Sequence, residues 1–345
     1  MRSNLLFLVL FLGGLVVSAQ TISGVILDQR NQEPLESVSI YYDGTTIGAV
    51  TNQEGYFQIT SEVKTNAVLV VSYIGYETKF FSQEELANQK TIFLDEKPEA
   101  LDAVIIEPDD WSRAKKLKYF RREFLGRGEA AEACSILNED KIKLIYSKSK
   151  NTLYATSEEP IHVKNKHLGY LLKYKIVDFE VNFVDNLSGL IFVKSVYIAG
   201  TSNFSELNPN RIKKRYLKAR QAEYQGSVLE FMRALANKKL KEYHYATFIK
   251  SEGEGSEMFM PVEPYQYLVV QNKEDGLSQV TLKAEKLVVL YREDIQSALV
   301  PEEGFDTFYI DDYGIHSPSD KLLFSGAFGR ERLAKLLPLD YKVDH

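Results

Sequence analysis

The sequence is short of the side chains that most active-site chemistry requires. Its 345 residues hold one cysteine, Cys134, so no disulfide can close within the chain and the cores must hold by packing. There are five histidines, His162, His167, His244, His316 and His345, and none is followed by a glutamate at the third position. No His-Glu-x-x-His motif occurs either, so the ligand set of a zinc carboxypeptidase is missing. A Gly-x-Ser-x-Gly elbow and a phosphate-cradling Gly-x-x-x-x-Gly-Lys loop are both absent. No cofactor is expected from these patterns. Bases are outnumbered, 42 Lys and Arg against 48 Asp and Glu, and the net charge of −6 speaks against nucleic acid as a partner.

Long apolar runs are also missing, with one exception at the start. Leu5–Val17 is an apolar stretch preceded by Arg2 and followed by Ser18-Ala19. A positive start, a short apolar core and small residues at a cleavage point form the pattern of a secretory signal peptide, expected over residues 1–19. The run falls short of the roughly 20 apolar residues of a membrane-spanning helix. Cleavage after Ala19 exposes Gln20 rather than a cysteine, which closes the bacterial lipoprotein route. The loss of one arginine and no acid moves the net charge from −6 to −7. The expectation is an exported protein, periplasmic or associated with the outer membrane, with no transmembrane span after cleavage.

What is present is strand-forming. The chain carries 21 Tyr and 19 Phe, residues that fit strands and large aromatic cores. Between residues 21 and 107, short apolar or alternating runs (Ile22–Leu27, Val38–Tyr41, Tyr56–Ile59, Val68–Tyr73, Ile92–Leu94, Val104–Ile106) are separated by turn signals every ten residues or so. That spacing predicts a β-sandwich.

The residues that carry these turns also carry a resemblance. Gly24-Val25-Ile26-Leu27-Asp28, Pro34-Leu35, Val38, Gly44-Thr45-Thr46, Gly48, Thr51, Gly55-Tyr56-Phe57 and Ser72-Tyr73-Ile74-Gly75-Tyr76 form one pattern. It resembles the carboxypeptidase-regulatory-like domain, which implies a transthyretin-like sandwich of about seven strands over residues 20–108. The same module precedes the plug of many TonB-dependent outer-membrane transporters, and Leu101–Ile106 resembles the strand that leads into such a plug. Residues 108–345 are too few for a barrel of 22 strands, so a transporter is not expected.

Residues 109–345 read as a mixed α+β domain, giving a fold class that is mainly β plus α+β. Trp111–Phe124 has helical spacing, and residues 142–155 read as a hairpin. Two long strands follow, with a switch of face that predicts a bulge near Val177-Asp178. Ser227-Val228-Leu229-Glu230 predicts a capping box opening a helix. Tyr265–Gln271, Val280–Leu282, Leu287–Tyr291 and Thr307–Ile310 read as strands, and Leu333, Leu336 and Leu337 as a last short helix stopped by Pro338. Phe124-Leu125-Gly126, Asn165, Leu168-Gly169-Tyr170, Arg220, Tyr224, Gly226-Ser227 and Arg332-Leu333-Ala334 resemble a group of exported proteins without a settled activity, so this likeness implies no chemistry.

Few residues stand out as chemistry. Arg211, Lys213, Lys214, Arg215, Lys218 and Arg220 place six cations within ten residues of an acidic chain. They are the candidate binding residues, for lipid phosphates or an acidic glycan, against the plainer reading of a solvated helix face with Arg220 paired internally. His162 and His167 lack a third metal ligand and read as loop histidines. Cys134 reads as a small packed residue, since no histidine lies near it to hold a thiolate. Ser112, in a Ser-x-x-Lys spacing, reads as a helix start. Glu252, Glu254, Glu257 and Glu263 read as a solvated acidic loop, without EF-hand spacing. No catalytic or metal residue is assigned. Three functions follow from this. The first is a non-enzymatic envelope module that binds a partner protein or a glycan, as carbohydrate-binding surfaces do with exposed aromatic rings. The others are a hydrolase of cell-wall or glycan substrates, and a structural spacer in an envelope complex.

Overall fold

The computed structural model describes residues 20–61, 65–97, 110–185, 191–250, 258–273 and 276–343. The leader at 1–19, the strand expected at Leu101–Ile106 and most of the acidic loop after Lys250 lie outside these residues.

The first unit runs β1 (Gln20–Asp28), β2 (Ser39–Tyr42), β3 (Gly48–Val50), β4 (Tyr56–Ser61), β5 (Leu69–Ser72), β6 (Lys79–Phe81), α1 (Gln83–Asn88) and β7 (Thr91–Leu94). It is the sandwich that the turn spacing predicts. One sheet has the order β4-β1-β7 and the other β3-β2-β5-β6. Alternation along β1 and β4 turns Ile22, Ile26, Phe57 and Ile59 inward, where Val38, Ile40, Leu69, Val71, Leu86 and Ile92 meet them.

The second unit is built on one long ribbon. Its elements are α2 (Arg113–Leu125), α3 (Glu129–Glu132), β8 (Cys134–Ile136), β9 (Lys143–Ser147), β10 (Thr152–Thr156), β11 (Ile161–Asn165), β12 (Tyr170–Asp185) and β13 (Ile191–Glu206). β12 pairs β11 and then β10 along one edge, and β13 along the other. The pairing shifts register between Ile176 and Asp178, which is the bulge read from the change of parity. α2 starts at Arg113, because Ser112 is the N-cap and accepts the amide of Lys115. Phe120 and Phe124 press onto Tyr174 and Phe179 of β12.

α4 (Lys214–Tyr224) packs on the ribbon's core through Ala219 and Tyr224, and the third unit comprises α5 (Val228–Ala236), β14 (Tyr245–Lys250), β15 (Phe259–Val262), α6 (Pro264–Tyr267), β16 (Leu268–Asn272), β17 (Ser278–Leu282), β18 (Leu287–Tyr291), β19 (Ile295–Pro301), β20 (Thr307–Ile310), β21 (His316–Ser317) and β22 (Leu322–Gly326). Sheets of order β15-β14-β18-β19-β22 and β16-β17-β20-β21 share one core with Phe231, Met232 and Leu235 of α5.

Three local expectations are corrected. The strand expected from Tyr265 begins at Leu268, because Pro264 opens a helical turn before it. The box at Ser227 is half closed. Ser227 accepts the Glu230 amide, but the Glu230 carboxylate takes the Gly226 amide and the Tyr245 hydroxyl instead of the cap's own N–H. Leu333–Leu337 forms turns rather than a helix. The amides of Leu333 and Ala334 donate to the carbonyls of Phe124 and Leu125 at the open end of α2, so intrahelical partners are forgone for tertiary ones.

Candidate functional site

The structure divides the cationic stretch. Arg211, Lys213, Lys214, Arg215 and Lys218 are exposed around the start of α4. Arg220, one turn further along, is 3% exposed. Its guanidinium holds both carboxylate oxygens of Glu206 at 2.8 and 2.7 Å, donates Nε to the Leu168 carbonyl, and lies 3.8 Å from the Tyr170 ring centre. Five cations therefore face out while the sixth locks α4 to the ribbon.

The other residues singled out in the sequence occupy packed or capped positions. Cys134 is half-buried, donates to the Ala130 carbonyl, and has its thiol pushed up to about 12 by burial. His167 meets Glu223 at 2.9 Å, and Lys335 meets the same carboxylate. His162 stands on β11 opposite Lys173. Glu263 pairs with Lys241. Among the described residues no three His, Cys, Asp or Glu side chains gather as a metal set.

A cleft of about 540 Å³ opens where α4, α5, the turn before β14, the end of β18 and residues 340–343 converge. That volume lies within the roughly 300–1,000 Å³ of small-ligand sites. Tyr224, Tyr243, Tyr291, Tyr313 and Tyr341 line it, together with Arg233, Arg292, Glu242, Asp312 and other polar groups. Tyr243 is 37% exposed at the rim. The openings beside β8 and before α4 carry Lys and Arg and hold no buried carboxylate, and the one at the end of α2 holds the buried Glu123, already bonded to Arg122 and near Arg127.

Two features set the cleft apart. The first is backbone conformation. His244 and Arg292 face each other through an amide–carbonyl bond of 3.0 Å, and both have positive φ, +62° and +47°. Non-glycine residues held this way concentrate at functional sites. The second is charge. Glu230 is buried in the floor, where burial raises its pKa against the pull of the Gly226 amide, the Tyr245 hydroxyl, Arg292 and His244. Its Oε2 takes both hydrogen bonds, and its Oε1 has no partner among the described residues. Burial, and then the neighbouring Asp311, raise the pKa of Asp312 as well. Arg233 is fixed by three backbone carbonyls, of Tyr313, Leu339 and Tyr341. It is a positioned cation with no carboxylate partner among the described residues.

The sandwich beneath the cleft has a known counterpart. Residues 22–106 match the family model of the CarboxypepD_reg-like domain. Over 113 residues the chain is 28% identical to the TonB-dependent receptor SusC of Bacteroides thetaiotaomicron, covering 30% of this chain and 11% of that receptor. The chain thus spans about a tenth of that relative's length. Both similarities are consistent with a bacterial envelope protein. None of the cleft's lining residues comes from the CarboxypepD_reg-like segment. That segment does support the cleft from behind. Gly44 accepts the Leu339 amide, Thr46 holds the Asp340 carboxylate through its amide and hydroxyl, and Thr65 and Asn66 hold Asp311.

The cleft was hidden from the sequence. Its walls come from residues 221–233, 242–244, 291–292, 312–313 and 340–343, and no short motif joins them. Glu230 stood out in the sequence only as the cap glutamate of α5; that its carboxylate turns to the Gly226 amide and the Tyr245 hydroxyl is visible only in the structure.

Proposed function

We propose that the protein is a non-catalytic module of the bacterial envelope that binds a glycan in the tyrosine-lined cleft. The observation that carries this reading is the convergence of tyrosines with the fixed Arg233 guanidinium in one concavity, where Tyr243 and Tyr341 are the rings left open and Tyr224, Tyr291 and Tyr313 are packed into the wall. Aromatic faces cover the C–H faces of sugar rings, and Arg233, Arg292, Glu242 and Asp312 offer donors and acceptors to hydroxyls. The CarboxypepD_reg-like sandwich and the similarity to a TonB-dependent receptor support the envelope as its location.

The test is calorimetric titration of the full mature chain against envelope and polysaccharide fragments. Tyr243→Ala removes an exposed ring and should weaken binding roughly two- to tenfold, in line with about 0.5–1.5 kcal/mol for an aromatic contact, with an unchanged melt. Failure to bind any member of the panel, or an unaffected Tyr243→Ala, would refute the reading. A hydrolase is the second reading, favoured by the free Oε1 of the buried Glu230. It predicts new reducing ends on incubation with the bound glycan, lost in Glu230→Gln.

A further inference from the structure

We infer that the exposed cationic segment before and along α4, Arg211–Lys218, docks the protein on an anionic phospholipid surface. This surface is separate from the cleft and does not depend on the glycan reading.

Arg211, Lys213, Lys214, Arg215 and Lys218 are all exposed, and none meets a carboxylate among the described residues. This is unusual for the chain. Acids outnumber bases in it, and many of its cations meet a carboxylate, as Lys143 does Glu158, Lys148 Asp110 and Lys321 Glu302. Exposed Lys90, Lys118 and Lys238 have no ion pair among the described residues either, so what marks this segment is five such cations within eight residues. Like charges crowded together without counter-charges repel one another, so the cluster gains most from an anionic surface outside the protein.

Two further observations select lipid over acidic glycan. Ile212 stands at the centre of the cations and is 41% exposed. An apolar side chain ringed by long cationic stems suits the headgroup boundary, where the stem methylenes and the isoleucine enter the apolar layer and the charges stay at the phosphates. The opening at this end, about 600 Å³, is lined by Asn208, Arg211, Ile212, Lys213 and Lys214, with no aromatic ring for a sugar to stack on. The nearest ring, Tyr216, is 7% exposed and turned inward against Gly169, with the Arg215 guanidinium 4.9 Å from its centre. Arg220 holds α4 through Glu206, so Lys214, Arg215 and Lys218 project from a fixed helix, with Arg211 and Lys213 just before its first turn.

The experiment is co-sedimentation of the full mature chain with phosphatidylcholine vesicles, with and without phosphatidylglycerol. Each cation near an anionic surface contributes roughly fivefold in partitioning, so R211Q/K214Q/K218Q should lower binding roughly 100-fold. These three side chains make no hydrogen bond to the rest of the chain among the described residues, and circular dichroism should be unchanged. The variant K90Q/K118Q/K238Q removes the same charge from other exposed positions and should bind like the parent. Binding should fade as salt shortens the screening length from about 10 Å at 0.1 M to about 3 Å at 1 M. Ile212→Ser should lower it further, by a factor that persists at high salt. Equal binding to neutral vesicles, equal loss in the control variant, an unaffected R211Q/K214Q/K218Q, or retention on an acidic polysaccharide without vesicle binding would each overturn the proposal.

Discussion

Arg220 offers the sharpest test of the packing. In Arg220→Ala, the Glu206 carboxylate loses both charged donors and the Leu168 carbonyl loses the Nε donor. Removing one partner of a buried pair costs about 3–5 kcal/mol. Glu206 keeps 23% of its side-chain surface, so water recovers part of its loss and the lower end applies, about 3 kcal/mol. With a urea slope of about 2 kcal/mol/M, the midpoint should fall by about 1.5 M. The assay has a built-in reporter. Trp111 is the sole tryptophan, and it stacks on Tyr146 at 4.0 Å and touches Phe183 at 5.1 Å inside the core that β12 and β13 enclose. Its fluorescence therefore follows the unfolding of that core. Arg220→Lys should recover less than half of the loss, because one ammonium cannot replace a fork that reaches two carboxylate oxygens and a carbonyl. Lys218→Ala, two residues away and exposed, should stay within about 0.5 kcal/mol. A shift below about 1 kcal/mol in Arg220→Ala would refute the buried clamp.

Two other titratable groups yield measurable consequences. The Cys134 thiol is pushed up to about 12 by burial, so Ellman's reagent at pH 8 should label the native protein very slowly and the urea-unfolded protein at once. Rapid native labelling would contradict its placement. Glu331 has a carboxyl raised to about 7, chiefly by burial and further by Glu223, against the Val228 amide and Lys335. A carboxyl raised on folding binds more protons in the native than in the unfolded state between its two pKa values. Its contribution is complete below pH 4.5 and is lost as pH rises through about 7. Glu331→Gln keeps an acceptor for the Val228 amide and should gain stability at pH 8 relative to the parent, with a flatter pH profile by thermal melting. An unchanged profile would show that Glu331 is solvated.

Much of the architecture was legible in local pattern. The sandwich strands alternate over a period of two and are cut by turns, so burial and sequence carry the same signal. The bulge at Val177 was visible because parity is binary and a single extra residue reverses it. The helix after Ser112 showed itself through Phe120 and Phe124. What failed did so for tertiary reasons. Leucine spacing at 333–337 suits a helix, yet the open carbonyls at the end of α2 offer those amides other partners. Among the candidate binding residues, Arg220 was set apart in the sequence only by the plainer reading, as paired internally, and the partner could not be named. Only the approach of Glu206, fourteen residues earlier on a different element, separates it from them.

The cleft and the junction of the three cores are one structure. Residues 333–343 cross from α2, where Leu333 and Ala334 bond, past β11, whose Asn165 amide donates to the Ala334 carbonyl. They then pass over the sandwich, where the Leu339 amide meets Gly44 and Asp340 meets Thr46, and end under Arg233 of α5. A Cβ at Gly44 would fall 2.5 Å from the Leu339 side chain, and its φ of +75° is one that glycine adopts freely. A glycine of the CarboxypepD_reg-like segment thus seats the strap that forms one wall of the cleft. Because the strap is held by all three cores, a fragment starting at residue 109 would lose the Gly44 and Thr46 bonds and with them the position of Asp340 and Tyr341. The sandwich contributes no lining residue to the cleft, yet the cleft's shape depends on it, so binding must be measured on the whole chain.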